Sequence, residues 1–221
     1  MPLPGSSAAQ AFNWGDPVAG DEFNGTGVDT SKWRVYNGSG SNDNGLRLPQ
    51  QVTESGGFLT ITGLPNSGSG GMAWRFGQKY GRWEAQMRVT QQTVGGKPYH
   101  PVLLLWPDSN RWPQDGELDY AESDANAPSV NAFLHFPGNS ATGQLWYNKP
   151  IDLSQWHDYA FEWSPGHMTG YIDGVQWYST TDPRVQPPGP MHATIQLDDL
   201  VSPGGMNTTE MQVDWFRMYT V

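Results

Sequence analysis

Turn signals break this chain at short, regular intervals, and that spacing limits what it can fold into more than any other feature. Asn24-Gly25, Asn37-Gly38, Asn44-Gly45, Gly56-Gly57, Gly68 to Gly71, Gly95-Gly96, Asp115-Gly116 and Asp173-Gly174 each supply residues that tolerate positive φ. The runs between them are strand-length, and several alternate. Trp83, Ala85, Met87 and Val89 fall on one face, with Glu84, Gln86 and Arg88 on the other. His157, Tyr159, Phe161 and Trp163 share a face in the same way. Met168 to Asp173, the Asp173-Gly174 turn and Val175 to Tyr178 read as a hairpin, and Met211 to Tyr219 reads as a closing strand. Val102 to Trp106 is continuously apolar, as in a strand covered on both faces. No segment keeps helical periodicity over three turns. With 27 glycines and 18 prolines, a helical bundle is excluded. The expectation is an all-β chain: two antiparallel sheets packed face to face, or one curved double sheet.

At 221 residues one domain suffices, so residues 1–20 are expected as a loosely attached lead-in and 21–221 as a single domain. The net charge is −10 and no Lys/Arg cluster is present, which argues against nucleic acid and against an acidic polysaccharide but leaves a neutral one open. No apolar run approaches eighteen residues, so no membrane span is expected. Cysteine is absent, which removes disulfides and thiolate metal sites. Residues 1–10 lack the basic and apolar regions of a signal peptide; they suit the trimmed start of a mature secreted protein or an arbitrary end.

The chemistry is concentrated in Asp115-Gly116-Glu117-Leu118-Asp119-Tyr120-Ala121-Glu122. Glu117, Asp119 and Glu122 place three carboxylates in a segment otherwise fit for a buried strand, where acids without a partner or a task are rare. Side chains on a strand alternate, so Glu117 and Asp119 share a face and Glu122 belongs to the other. A β-bulge at about Tyr120-Ala121 would return Glu122 to the shared face. The two glutamates would then lie about 13 Å apart along the backbone. Cleavage of a glycosidic bond with retention needs carboxyl groups roughly 5–5.5 Å apart, so this reading demands a curved sheet with a cleft on its hollow side. The alternative is a charged, exposed strand face.

The same strand carries a resemblance. Glu117-Leu118-Asp119-Tyr120-Ala121-Glu122 resembles the bulged Glu-x-Asp-x-x-Glu signature of glycoside hydrolase family 16 in its laminarinase-like form. Four further segments resemble that family in order: Asp21 to Asn24 with Ser31-Lys32-Trp33; Tyr80 to Ala85; Trp156 to Trp163 with Tyr171 to Gly174; and Val213 to Tyr219. The resemblance implies a β-sandwich jelly roll, concanavalin A-like, with two curved antiparallel sheets and a concave glycan cleft. It also implies retaining hydrolysis of β-1,3- or β-1,4-linked glucans or galactans, and the leading expectation is endo-hydrolysis of a neutral β-glucan, above all a β-1,3-linked one, by a secreted monomer without a catalytic cofactor. Carried across, Glu117 matches the nucleophile, Glu122 the acid/base and Asp119 the assisting acid. A non-catalytic glycan-binding module and a transglycosylase remain alternatives on the same fold.

The chain departs from the family where His100-Pro101-Val102-Leu103-Leu104 replaces a Trp-Pro-x-x-Trp run, and where Gln196-Leu197-Asp198-Asp199-Leu200 replaces an Asn-containing strand. Trp106 and Trp112 are candidate sugar platforms or core residues. His135 is a candidate partner of the acids or a structural histidine. Arg75 suits a sugar hydroxyl or a salt bridge, and Trp146 and Gln144 are further candidates. The resemblance also implies a structural Ca²⁺ on the convex side, held by Asp214 with backbone carbonyls near Glu22 and Gly57. No His or Asp/Glu spacing points to a catalytic metal.

Overall fold

The computed structural model describes residues 6–92, 95–138, 142–201 and 204–221. Two antiparallel sheets lie face to face. The outer sheet holds β1 (Ala19–Asp21), β5 (Val52–Ser55), β6 (Phe58–Gly63), β9 (Gly81–Gln91), β14 (His157–Ser164), β15 (His167–Ile172), β16 (Val175–Thr180) and β18 (Thr209–Tyr219). Its order is β16-β15-β14-β9-β18-β6-β5, with β1 also paired to β18. The inner sheet holds β2 (Trp33–Val35), β8 (Gly71–Trp74), β10 (His100–Pro107), β11 (Glu117–Glu122), β12 (Ser129–His135), β13 (Gln144–Pro150) and β17 (Met191–Asp198). It runs β13-β12-β11-β10-β17-β8-β2. A small third sheet joins β3 (Gly38–Ser39), β4 (Leu46–Arg47) and β7 (Gly68–Ser69). The fold is the expected all-β sandwich of jelly-roll type.

Alternation decides which side chains meet between the sheets. Trp83, Ala85, Met87 and Val89 of β9 and Tyr159, Phe161 and Trp163 of β14 enter the core from the outer sheet. Leu103 and Leu105 of β10, Leu118, Tyr120 and Ala121 of β11, and Val130, Ala132 and Leu134 of β12 enter from the inner one. Tyr120 stacks on Phe161 at 6.0 Å between ring centroids, joining the acid-bearing strand to the opposite sheet. Burial of such side chains is the main stabilising term, about 1.5–3 kcal/mol for each fully buried large apolar residue. The hairpin at Asp173-Gly174 forms as expected, both residues taking positive φ, 51° and 69°. Val102 and Leu104 differ from the expectation for β10: only their neighbours Leu103 and Leu105 enter the core, while these two floor a cavity.

Residues 6–20 are docked rather than loose; residues 1–5 of the expected lead-in lie outside the described residues. Ser7 caps the short helix α1 (Ala8–Ala11) with a capping box to Gln10. Ala8 N–H donates to Oε1 of Glu84, a fully buried carboxylate on the outward face of β9. Trp14 packs edge-on against Tyr171 and Tyr219, and the Arg82 guanidinium lies 5.1 Å from its ring. The polar composition of the segment concealed this, because its anchors are the rings of Phe12 and Trp14, the buried Ala8 and a few backbone hydrogen bonds to remote strands.

Candidate active site

A β-bulge in β11 builds the site. Toward β10, Asp119 pairs with Leu104 and Ala121 with Leu103, so Tyr120 has no opposite residue. Toward β12, Asp119 pairs with Phe133 and Glu122 with Asn131, so the same strand is one residue too long there as well. The extra residue sends both Tyr120 and Ala121 into the core and returns Glu122 to the face of Glu117 and Asp119. Just before the strand, Gly116 sits at φ 82°, where a Cβ would come within 3.2 Å of the His135 carbonyl, a turn that starts β11 in the right register. Asp115 stays outside the site: Ser109 and Arg111 bind its carboxylate and hold its pKa below the usual range.

Glu117, Asp119 and Glu122 line one cavity of about 570 Å³ on the inner sheet's free face. Its other walls include Trp106, Trp112, His135, His192, Thr194, Gln196 and Asp198, with Arg34, Tyr36, Asn42 and Arg47 closing one side. Residues from β10, β11, β12 and β17 thus converge on one hollow. His135 Nε2 lies 3.0 Å from Asp119 Oδ2, and Trp112 is within hydrogen-bonding reach of Glu117, as is Asp119. Trp112 is half exposed and meets the His135 ring edge-on at 6.1 Å.

Electrostatics separate the carboxyls. Burial pushes Glu117 well above the ordinary range and the Asp119 charge adds to it; His135 and Trp112 draw it back. Burial also raises Asp119, helped by the charge of Glu122. Oδ1 of Asp119 is buried without a hydrogen-bond partner among the described residues. The hydrogen bond between the two neighbours raises Glu117 and lowers Asp119, so it works with burial at the first and against it at the second. Glu122 is pushed up to about 7, by burial first and then by the charges of Glu117, Asp198 and Asp124. Three carboxyls with raised pKa values share one wall, the kind of groups from which glycosidic cleavage draws its nucleophile and its proton donor.

Ligand atoms of Glu117, Asp119 and His135 fall within 4.8 Å of one another, close enough for a cation, a grouping the linear spacing did not show. Of the remaining candidates, Trp106 lines the cavity, its indole N–H donating to Asn110 at 3.0 Å. Arg75 lines a smaller adjoining cavity of about 300 Å³ that shares Arg34, Asn110 and His192 with the main one. Its Nε donates to the Thr30 carbonyl rather than to an acid. Trp146 is 60% exposed on the edge strand β13, opposite Phe133, and neither it nor Gln144 lines the cavity. Asp214 sits at a second bulge, between Val213 and Trp215. Burial and the charge of Glu22 raise its pKa.

The sequence matches the family model of glycosyl hydrolases family 16 over residues 30–217. The chain belongs to that family. Among curated relatives, glucan endo-1,3-beta-glucosidase A1 of Niallia circulans is 26% identical over 256 residues, covering 90% of this chain and 37% of the relative. A beta-glucanase of Rhodothermus marinus is 27% identical over 121 residues, covering 49% of this chain and 40% of the relative. The chain therefore spans less than half the length of these relatives. The laminarinase catalytic domain from Thermotoga maritima MSB8 superposes with a TM-score of 0.80 at 18% identity, covering 93% of this chain and 98% of that one. The laminarinase from Flavobacterium sp. UMI-01 gives 0.78 at 22%, covering 93% and 100%. These structural matches establish the jelly-roll fold of this glycosyl hydrolase family 16 chain.

Sequence reasoning missed a second group of site residues in this family member. Asp198 is 3% exposed and accepts from Arg47, which reaches across from β4, and from Gln196 at 2.6 Å. Its strand alternates His192, Thr194, Gln196 and Asp198 into the cavity, a period-two polar pattern whose last two members fall in the segment that departs from the family.

Proposed function

We propose that this chain is the catalytic unit of a retaining, endo-acting β-glucanase that cleaves a neutral glucan, with β-1,3 linkages preferred. One observation carries the reading: the bulge at Tyr120 brings Glu117 and Glu122 to one cavity wall with Asp119 between them. The printed names of the relatives, glucan endo-1,3-beta-glucosidase and beta-glucanase, support the substrate class. An endo-acting enzyme meets a polymer too large to enter a cell intact only if it is secreted, which is the location we propose.

In the reaction, the Glu117 carboxylate attacks the anomeric carbon while Glu122 passes its proton to the departing glycosidic oxygen. The glycosyl ester on Glu117 is then attacked by water, whose proton goes to the Glu122 carboxylate; Glu117 leaves and the starting protonation is restored. Two inversions give net retention. Asp119 hydrogen-bonds Glu117 and assists it as the nucleophile. Trp106 and Trp112 offer indole faces to sugar rings, and no cofactor is needed for these steps.

Calcium is a separate proposal for the outer sheet. Both oxygens of the Glu22 side chain accept from Arg217 at 2.7 Å, so Glu22 would contribute its backbone carbonyl, with the Asp214 carboxylate and the Gly57 carbonyl. The Gly57 turn does lie against this segment, since a Cβ there would come within 3.8 Å of Asn24 Oδ1. The hard-oxygen donor set fits Ca²⁺ in a structural role.

Incubation with laminarin, followed by reducing-sugar release and NMR of fresh product, tests the main reading. Early β-anomer and mixed oligosaccharides are expected; early α-anomer or no release defeats it.

A further inference from the structure

The acid/base candidate has a neighbour that the two-carboxylate reaction does not use. His100 opens β10, next to Glu122 on β11, and stands opposite Asp198 on β17. Its Nδ1 lies 3.0 Å from Asp124 Oδ1, and its Nε2 lies 3.9 Å from Glu122 Oε1. Both His100 and Glu122 are largely buried, their side chains 20% and 15% exposed, whereas Asp124 is 46% exposed. Asp124 therefore acts as an anchor at the rim, with the imidazole reaching inward to the acid.

The tautomer follows from the anchor. A carboxylate at Nδ1 requires the N–H on that nitrogen, which leaves the Nε2 lone pair facing Glu122. We propose that His100 is a positioning residue for Glu122, a buried hydrogen-bond acceptor that keeps the Glu122 carboxyl protonated and oriented for the first chemical step. The inference rests on Glu122 as the acid/base. Burial lowers the His100 pKa, while the charges of Asp124 and Asp198 oppose that effect. The neutral ring is thus the working form, and Arg47, bound to Asp198, keeps that second acid from claiming the imidazole. A gap of 3.9 Å is longer than a hydrogen bond, but catalytic contacts in a ligand-free site commonly tighten when substrate binds. No bond is made or broken at His100. The proton leaves Glu122 for the glycosidic oxygen and returns from water, while the imidazole keeps its own.

An acceptor at this point matters only when the leaving group needs a proton. The test compares the whole chain with His100→Phe and His100→Gln on two substrates, a β-1,3-glucan and a dinitrophenyl β-glycoside of a short β-1,3-gluco-oligosaccharide, whose leaving group departs unprotonated. The readout is kcat/KM against pH, with matched thermal melts. On the glucan, His100→Phe is expected to lose about tenfold near neutrality and to move the alkaline limb to lower pH, because the acid gives up its proton earlier. The dinitrophenyl glycoside is expected to react at the unaltered rate. His100→Gln, whose amide oxygen can accept, is expected to keep most of the activity and the alkaline limb. An equal loss on both substrates, an unmoved limb, or a glutamine variant as impaired as the phenylalanine one overturns the role. A chain inactive on both substrates before substitution overturns the glucanase reading instead.

Discussion

His135 Nε2 and Asp119 Oδ2 lie 3.0 Å apart, a contact made because β11 and β12 pair in a register that sets Glu117 opposite His135. The imidazole consequently acts on two carboxyls besides the one it touches, drawing down both Glu117 and Glu122. His135→Ala removes that influence, so both groups ionise at higher pH. Glu117 must be charged and Glu122 protonated, and the whole pH–kcat/KM bell is therefore expected to move upward. A bell that loses height without moving would show that His135 serves packing alone.

The unsubstituted chain should lose kcat/KM as pH rises through about 7, where Glu122 gives up its proton. On the acid side the fall should begin above the ordinary carboxylate range, because burial raises Glu117. Initial rates on a soluble glucan across pH give both limbs. A plateau extending well above neutrality would contradict Glu122 as the acid.

Replacing the two glutamates should separate their roles. Glu117→Ala is expected to abolish turnover, and azide should restore it with the α-glycosyl azide as product, since a small anion attacks where the carboxylate stood. Glu122→Gln should lose roughly 10²–10⁴-fold on glucan and far less on a dinitrophenyl glycoside. Product analysis by NMR and parallel rates on the two substrates check both. Identical losses across substrates for Glu122→Gln would remove the acid/base assignment.

Trp112 touches the site twice, by reaching Glu117 with its N–H and by laying its ring edge-on to His135. Trp112→Phe keeps a ring but no donor, so the acid limb should rise while KM changes little. Trp112→Ala should raise KM as well, as the sugar platform goes. Full pH profiles of both variants decide between the two contributions.

Glu84 bears on stability rather than catalysis. Burial raises its pKa from 4.5 to about 7, although Ala8 N–H opposes the shift. A carboxyl with a raised folded-state pKa costs nothing at pH below its unfolded value. Its penalty grows as pH rises from there to the folded value, reaching on the order of 3 kcal/mol. Glu84→Gln keeps an acceptor for Ala8 and removes the charge. Its melting temperature should match the parent at acid pH and exceed it at mildly alkaline pH; equal melting at both pH values would place the ionisation penalty elsewhere.

Much of the site was legible because strand parity is local. Glu117, Asp119 and Glu122 are close in sequence, and their need for a bulge followed from counting residues. The same count placed it at about Tyr120-Ala121. The core faces of β9 and β14 were legible for the same reason. Arg47 and Asp198 were not, since 151 positions separate them and neither sits in a pattern that names the other. The docking of Trp14 on Tyr171 and Tyr219 was hidden likewise, because it depends on distant strands lying side by side.

By itself the sequence determined an all-β chain, the faces of its strands, and three acids able to share one side of a kinked strand. These depend on turn chemistry and on the alternation of neighbouring side chains. Only the tertiary structure decided how far each acid is desolvated, that His100 and Asp198 stand beside Glu122, and that residues 6–20 seal a buried carboxylate. Those outcomes depend on sheet curvature and pairing between remote segments, which set the local dielectric and the distances between charges. No periodicity along the chain encodes either.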